Sequence, residues 1–322
     1  MMNTVFGPVP SRRLGRSLGI DVIPPKTCSY DCVYCESGRT THLTVARKPF
    51  VPVDGVLREL DEYFQRHPAG ADVLTFSSAG EPTLYEPLGE LIRAVKRRFS
   101  SFPVVVLTNG SLLWDAGVRR DLVHADRVVP SLDAYSEDVF QDVNRPHPGI
   151  DCSLVMEGLL AFRKEYPRQL HVEVMLVAGR NDRPEELKKI SSFLSRLAPD
   201  RVELNTVVRP PACDFIQGLD DSRMMKAAGF FASHRTEIIG AFRGSGPIET
   251  GSDLESRILE MVRRRPCTCR EMASSLGVEP GELEEALLRL STDNRITRYL
   301  HNGLEFFCVR PASREKDEQS IE

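Results

Sequence analysis

Lys26-Thr-Cys-Ser-Tyr-Asp-Cys-Val-Tyr-Cys-Glu36 places Cys28, Cys32 and Cys35 at C-x3-C-x2-C spacing, three of the chain's eight cysteines. The others, Cys152, Cys213, Cys267, Cys269 and Cys308, are scattered. Three thiolates on one tight loop can take three corners of an iron-sulfur cluster and leave the fourth open. Structural zinc asks for a fourth ligand, commonly from a second C-x2-C pair, and none stands nearby in sequence. Free cysteines used only as small buried side chains are the third reading. Spacing alone leaves the three open, and the surrounding chain has to decide between them.

The rest of the composition is that of an ordinary globular chain. Its 322 residues, 41% of them hydrophobic, suffice for about two domains with buried cores. Lys plus Arg number 42 against 46 Asp plus Glu, a net −4, so nothing in the overall balance suggests a nucleic-acid coat protein or a membrane-surface binder, and such partners would need local patches. The segment Met1 to Arg13 has prolines at 8 and 10 and no signal-like apolar run, and the apolar stretch near Val104 to Leu107 is far too short to span a bilayer. The expectation is a cytoplasmic protein without a membrane partner, whose cysteines stay out of disulfides.

Short β-branched segments at Leu18 to Ile23, Val73 to Phe76, Val104 to Leu107, Val128 to Leu132, Val172 to Val177 and Val202 to Val208 read as buried strands. Amphipathic stretches at Val56 to Phe64, Leu88 to Arg97, Ser153 to Arg163 and Pro184 to Leu197 read as the helices between them, and Arg183-Pro184-Glu185 marks a helix start. Strand alternating with helix implies an α/β protein with a parallel sheet, either a partial barrel or a doubly wound sheet. In both, ligands collect at the carboxyl ends of the strands. The cysteine run, Ser78 to Glu81, Thr108-Asn109 and Ser131 to Asp133 all fall there. Taken singly, Gly80-Glu81-Pro82-Thr83 reads as a turn opening a helix, Asn109-Gly110 as a loop, and Ser131 or Asp133 as a strand-end cap. Asn205, on the sixth strand, reads equally as a ligand or as a hydrogen-bonded core amide.

Together these motifs resemble the radical S-adenosylmethionine (SAM) superfamily. Its C-x3-C-x-aromatic-C motif is matched with Tyr34 before the third cysteine, and its Gly-Glu-Pro segment by Ser77-Ser-Ala-Gly-Glu-Pro-Thr83. Leu107-Thr-Asn-Gly110 and Ser131-Leu-Asp133 are similar to the ends of its third and fourth strands. The resemblance covers residues 5 to 212; the opening Phe6 to Asp21, with Arg209-Pro-Pro211, resembles the subgroup related to wyosine-base synthases. It implies a partial (β/α)6 TIM-like barrel, a [4Fe-4S] cluster on Cys28, Cys32 and Cys35, and SAM bound at the open iron and cleaved to a 5′-deoxyadenosyl radical. It implies SAM contacts at Tyr34, Ser78, Gly80, Glu81, Thr108, Asn109, Ser131, Asp133 and Asn205, and an external electron donor, ferredoxin or flavodoxin. No catalytic residue beyond these is legible.

After the core, expected over residues 1–213, residues 214–252 read as a helical extension, with a helix near Asp221 to Ser233, and a linker with Gly244, Gly246, Pro247 and Gly251. Residues 253–311 then give helices at Leu254 to Arg264, Thr268 to Ser275 and Pro280 to Ser291, followed by two alternating runs around Asn302-Gly303, a winged helix-turn-helix outline. The charged tail 312–322 is expected to be disordered. Residues 1 to 48 hold seven basic and three acidic side chains, a basic mouth that would suit tRNA or another phosphate-bearing substrate. Against DNA reading, the third of these helices opens on Glu279, Glu282, Glu284 and Glu285, and residues 251 to 311 hold nine basic and ten acidic side chains. Candidate substrates are therefore a tRNA base or a protein or peptide. The contrasting class is a non-catalytic iron-sulfur redox regulator.

Overall fold

Two short strands open the chain. β1 (Val5–Ser11) and β2 (Gly15–Ile20) pair antiparallel with Phe6 opposite Gly19, where any side chain would collide with the Phe6 ring. β3 (Thr27–Cys28) and β4 (His42–Leu43) form a two-residue parallel pair that frames the cysteine loop. The chain continues through α1 (Val53–Arg66), β5 (Val73–Phe76), α2 (Leu88–Arg98), β6 (Val104–Thr108), α3 (Ala116–Leu122) and β7 (Arg127–Pro130). It proceeds through α4 (Glu137–Val143), α5 (Cys152–Glu165), β8 (Gln169–Leu176), α6 (Pro184–Leu197), β9 (Arg201–Thr206), α7 (Asp221–Gly229) and β10 (Thr236–Ile238). The computed structural model describes residues 4–11, 13–68, 70–239, 254–301 and 303–309; Arg12, Asn302, the linker's Gly244, Gly246, Pro247 and Gly251, and the tail 312–322 lie outside them.

The main sheet runs β1-β2-β5-β6-β7-β8-β9-β10, and every neighbouring pair from β2 onward is parallel. A doubly wound sheet needs a point where strand order reverses, so that helices cover both faces. Here the order follows the sequence without reversal, and right-handed crossovers then put the helices on one face, as in a segment of barrel. The doubly wound alternative falls. The six expected strands are β2 and β5 to β9. Two more, β1 and β10, extend the sheet: Gly7, Pro8 and Pro10 hid the first, and the three-residue Thr-Glu-Ile is too short to show a period.

Alternation along the strands sorts the two faces. Leu18, Ile20, Leu74, Phe76, Val104, Val106, Val172, Val174 and Leu204 pack against helix residues such as Leu60, Ile92, Leu159 and Ile190. The other face is smaller and partly polar. Val73, Val105 and Val129 cluster with Leu14 and Leu107, while the Ser17 and Thr75 hydroxyls meet at 2.7 Å. At its floor the Arg13 guanidinium, from the β1–β2 turn, bridges Glu173 on β8 and Glu203 on β9 (2.6 Å to Glu203), and His171 Nδ1 donates to Glu203 at 2.8 Å.

A second unit carries α8 (Leu254–Arg264), α9 (Cys269–Leu276) and α10 (Pro280–Thr292), then an antiparallel pair, β11 (Ile296–His301) and β12 (Leu304–Val309). Ile258, Val262, Met272, Leu283, Leu287, Ile296 and Phe307 form its separate core. Thr268 caps α9 reciprocally with Glu271, and Gly277 ends it in the left-handed conformation. His301 pairs with Leu304, and Gly303 has φ 74°. Among the described residues no helix is long and apolar enough to cross a membrane.

Candidate functional site

The cysteine loop follows β2 and is held from four directions. The Lys26 N–H donates to the Ala79 carbonyl (2.8 Å) and the Glu81 N–H to the Thr27 carbonyl (3.2 Å), which straps the loop to the segment after β5. The Val33 N–H donates to Val143 O (3.0 Å) at the end of α4, and the Cys213 N–H to Val33 O (3.1 Å). Arg209 of the Arg-Pro-Pro stretch, itself buried, donates to both oxygens of Glu36 at 3.0 and 3.1 Å. Gly80 is needed for the first of these straps. A Cβ there would lie 2.0 Å from the Thr27 carbonyl oxygen, so the glycine lets the cysteine loop's own backbone approach.

All three thiols are shifted against ionisation. Burial, reinforced by Glu81, pushes Cys28 up to about 12, and burial likewise raises Cys32 and Cys35. Such thiols become thiolates only where metal supplies the compensating charge. Among the described residues no three His, Cys, Asp or Glu side chains converge on a point that could hold a single ion. A multinuclear cluster has no such need, because each of its irons takes one thiolate. Three thiols on one loop therefore fit an iron-sulfur cluster.

The remaining expected site residues stand at the carboxyl ends of the strands, and most are already bonded to one another. Glu81, 1% exposed, accepts from the Thr83 N–H (2.9 Å), the Thr83 hydroxyl (2.6 Å), the Thr108 hydroxyl (2.6 Å) and the Asn109 N–H (2.7 Å). Its carboxylate is thus a strut between the β5 and β6 loops, and burial still raises its pKa. Asn109 Nδ2 turns to Ser29 Oγ (2.9 Å) and Cys28 Sγ (3.6 Å). Asp133 accepts from the Tyr34 hydroxyl, Asn144 Nδ2 (2.7 Å) and the Met175 N–H (2.9 Å), and burial pushes it up to about 6. Asn205 donates to Glu173 (3.3 Å) and accepts from the Thr206 N–H (3.0 Å), so it belongs to the floor network. Ser131 continues the sheet edge, its N–H donating to Thr108 O at 3.0 Å. Ser78 differs from all of these, because its buried hydroxyl has no partner.

The basic mouth is largely neutralised. Arg16 pairs with Asp72 (2.8 Å), Arg39 with Asp31 (2.8 Å) and Arg47 with Asp121 (2.5 Å), while Arg13 is spent on the floor. Two buried amides escaped the sequence reading. Asn144 Nδ2 reaches Cys32 Sγ at 3.6 Å as well as Asp133, and Asn181 ties Asp133 O (2.8 Å) to Met175 O (2.7 Å). Neither sits in a local motif: Asn144 reaches Cys32 across 112 residues of chain and Asn181 reaches Asp133 across 48.

A singly wound parallel sheet with three cysteines on the loop after its first parallel strand defines a cofactor-dependent enzyme of the radical SAM class. The model of the radical SAM superfamily matches residues 22–194, and the chain belongs to that superfamily, whose members use a [4Fe-4S] cluster and S-adenosylmethionine and generally need an external reductant. Within it the chain is one of the UPF0026 proteins: it is 31% identical to one from Methanocaldococcus jannaschii, over 98% of this chain and 99% of that one. It is also 36% identical, over 95% of its length, to a Brachyspira hyodysenteriae protein named GTPase Obg, of which it spans only 45%. The present sequence has no Gly-Lys-Ser/Thr phosphate loop. Among solved structures, TYW1 with a lysine-pyruvate adduct bound shares the fold at TM-score 0.51 and 18% identity, covering 68% of this chain and 73% of that one. A radical SAM methyltransferase from Sphaerobacter thermophilus matches at TM-score 0.53 and 16% identity, over 69% of this chain and 66% of that one.

Proposed function

We propose that Cys28, Cys32 and Cys35 hold the [4Fe-4S] cluster and that SAM lies against the strand ends beside them. The observation that carries this reading is the buried, partnerless Ser78 hydroxyl, in the segment strapped to the cysteine loop. A buried hydroxyl without a partner costs stability unless a ligand completes it, and an ammonium such as the SAM amino group would do so. When bound, the cluster supplies the electron that cleaves the SAM sulfonium bond to a 5′-deoxyadenosyl radical. The chain's own residues bind and enclose. Ser78, Ser131 and the backbone around Gly80 face the ligand. Glu81, Thr108, Asn109, Asp133, Tyr34 and Asn205 hold the loops in place, and the apolar cluster of Val33, Val143, Val177 and Val207 keeps water from the loop's inner side.

The reaction class is then oxidoreductase- or lyase-type, fed by a ferredoxin or flavodoxin. The second unit is read as a winged helix-turn-helix that docks a macromolecule. With α10 opening on four glutamates and the arginines near the cysteine loop paired, a protein or peptide fits better than tRNA. RNA binding with the steep salt dependence of several phosphate contacts would overturn that preference.

Reconstituted anaerobically and reduced with dithionite, the protein should convert SAM to 5′-deoxyadenosine; a fully iron-loaded sample that yields none sinks the enzyme reading. Cys28→Ala, Cys32→Ala and Cys35→Ala should each abolish product and lose cluster iron, and a variant that keeps both removes that cysteine from the ligand set. Ser78→Ala should leave iron content intact and weaken SAM binding about tenfold, the scale of one hydrogen bond to a charged group. Equilibrium dialysis showing unchanged affinity would detach Ser78 from the cofactor.

A further inference from the structure

Two side-chain amides point at two of the three cysteine sulfurs from opposite sides of the loop. Asn109 Nδ2, after β6, stands 3.6 Å from Cys28 Sγ, and Asn144 Nδ2, at the end of α4, stands 3.6 Å from Cys32 Sγ. Sulfur's larger radius makes this a normal N–H···S distance. The orientation of each amide is fixed by its other bonds. Asn109 Oδ1 accepts from the Ser111 N–H at 3.0 Å, which leaves Nδ2 for Ser29 and the sulfur. Asn144 Nδ2 also meets the acceptor-only Asp133 carboxylate at 2.7 Å, so its nitrogen, not its oxygen, faces Cys32. Backbone N–H groups add to this donor field, with Tyr30 at 3.5 Å from Cys28 Sγ and Ser37 bonded to Cys35. Asn144 is 2% exposed, and Asn109 is partly buried, so water does not compete freely for these bonds.

We propose that Asn109 and Asn144 are positioning residues that set the cluster's reduction potential through these two amide N–H···S bonds. Reduction adds one electron, and part of its charge falls on the cysteine sulfurs. A donor aimed at the sulfur therefore stabilises the reduced form more than the oxidised one and makes reduction easier. The two bonds act on different ligands and come from different strand–helix units, so their effects should add.

The inference rests on the cysteine assignment above. Asn109→Leu and Asn144→Leu, reconstituted anaerobically, should each bind as much iron as the parent. At a fixed applied potential the ratio of reduced to oxidised cluster, read by electron paramagnetic resonance during a redox titration, should fall about tenfold in each, equivalent to 59 mV for a one-electron couple. The double variant should fall further. Asn181→Leu, which removes an equally buried amide that touches no sulfur, serves as the structural control and should leave the potential unchanged. A fully loaded Asn109→Leu or Asn144→Leu at the parental potential overturns the proposal, as does an equal shift in the Asn181 control. Should Asn144→Leu fail to load, Asn144→Ala removes the donor with less bulk and carries the same expectation, and Asn109→Leu tests the other bond separately. Failure of the underlying reading looks different, because the Cys→Ala variants would then retain iron.

Discussion

Gly80→Ala should cost about 100-fold in SAM cleavage while leaving the far side of the sheet intact. The added methyl would sit 2.0 Å from the Thr27 carbonyl oxygen and 2.9 Å from Ile23 Cγ2, and neither the backbone nor a buried isoleucine can move cheaply. Relief comes only by parting the cysteine loop from the segment after β5, which breaks the Lys26–Ala79 and Glu81–Thr27 hydrogen bonds. Cys28 and Ser78 then separate, and a displacement of about 1 Å between groups that must act on one cofactor is enough for a loss of that size. Iron content and SAM dissociation constant, measured together, locate the damage. A variant with parental iron and SAM affinity within twofold would show that the two segments do not need to touch.

The second large effect is on stability. Arg13→Met should lower the urea midpoint of the first unit by about 1 M, corresponding to roughly 3 kcal/mol. It leaves Glu173 and Glu203 facing each other inside the sheet without their shared cation. Trp114, the chain's single tryptophan, lies in this unit and reports its unfolding selectively. The deficit should depend on pH in a defined direction. Burial opposes ionisation of Glu203, but the His171 hydrogen bond and Arg13 together hold its carboxyl below the ordinary 4.5, so the parent keeps this stabilisation above pH 4.5 and loses it as pH falls through the lower folded value. Without Arg13 that depression weakens, so the variant has less of this stabilisation to lose as pH falls. The gap is therefore widest at neutral pH and narrows towards pH 4. A gap that is flat or widens on acidification would show that Arg13 contributes packing rather than charge.

How much of this was legible beforehand depended on range. The cysteine run, the six parallel strands and the helices of the second unit are written in local spacing and period, and each emerged close to its expected limits. Strand order is also implied once strands and helices alternate, but only the hydrogen-bond ladder distinguishes sequential from reversed order. The site's inner wiring is not local. Glu81 is recognisable as part of a Gly-Glu-Pro segment, yet its use as a strut depends on Thr108 and Asn109 arriving from the next strand. Asn144 carries no motif and meets Cys32 only because α4 ends against the cysteine loop. The partners of the basic residues in the first 48 are equally non-local, since Asp72 and Asp121, which pair with Arg16 and Arg47, lie outside that window.

The straps on the cysteine loop also set a timetable for synthesis. Cys28, Cys32 and Cys35 leave the ribosome before their partners, which come from residues 79–81, 109, 144 and 209–213. At about 5 to 20 residues per second, roughly 10 to 35 s pass between the third cysteine and the last strap. During that interval the nascent chain exposes three free thiols on an unfinished socket. On the proposed cysteine assignment, iron delivered in that window would meet flexible ligands, whereas iron delivered after residue 213 has emerged would meet a strapped loop.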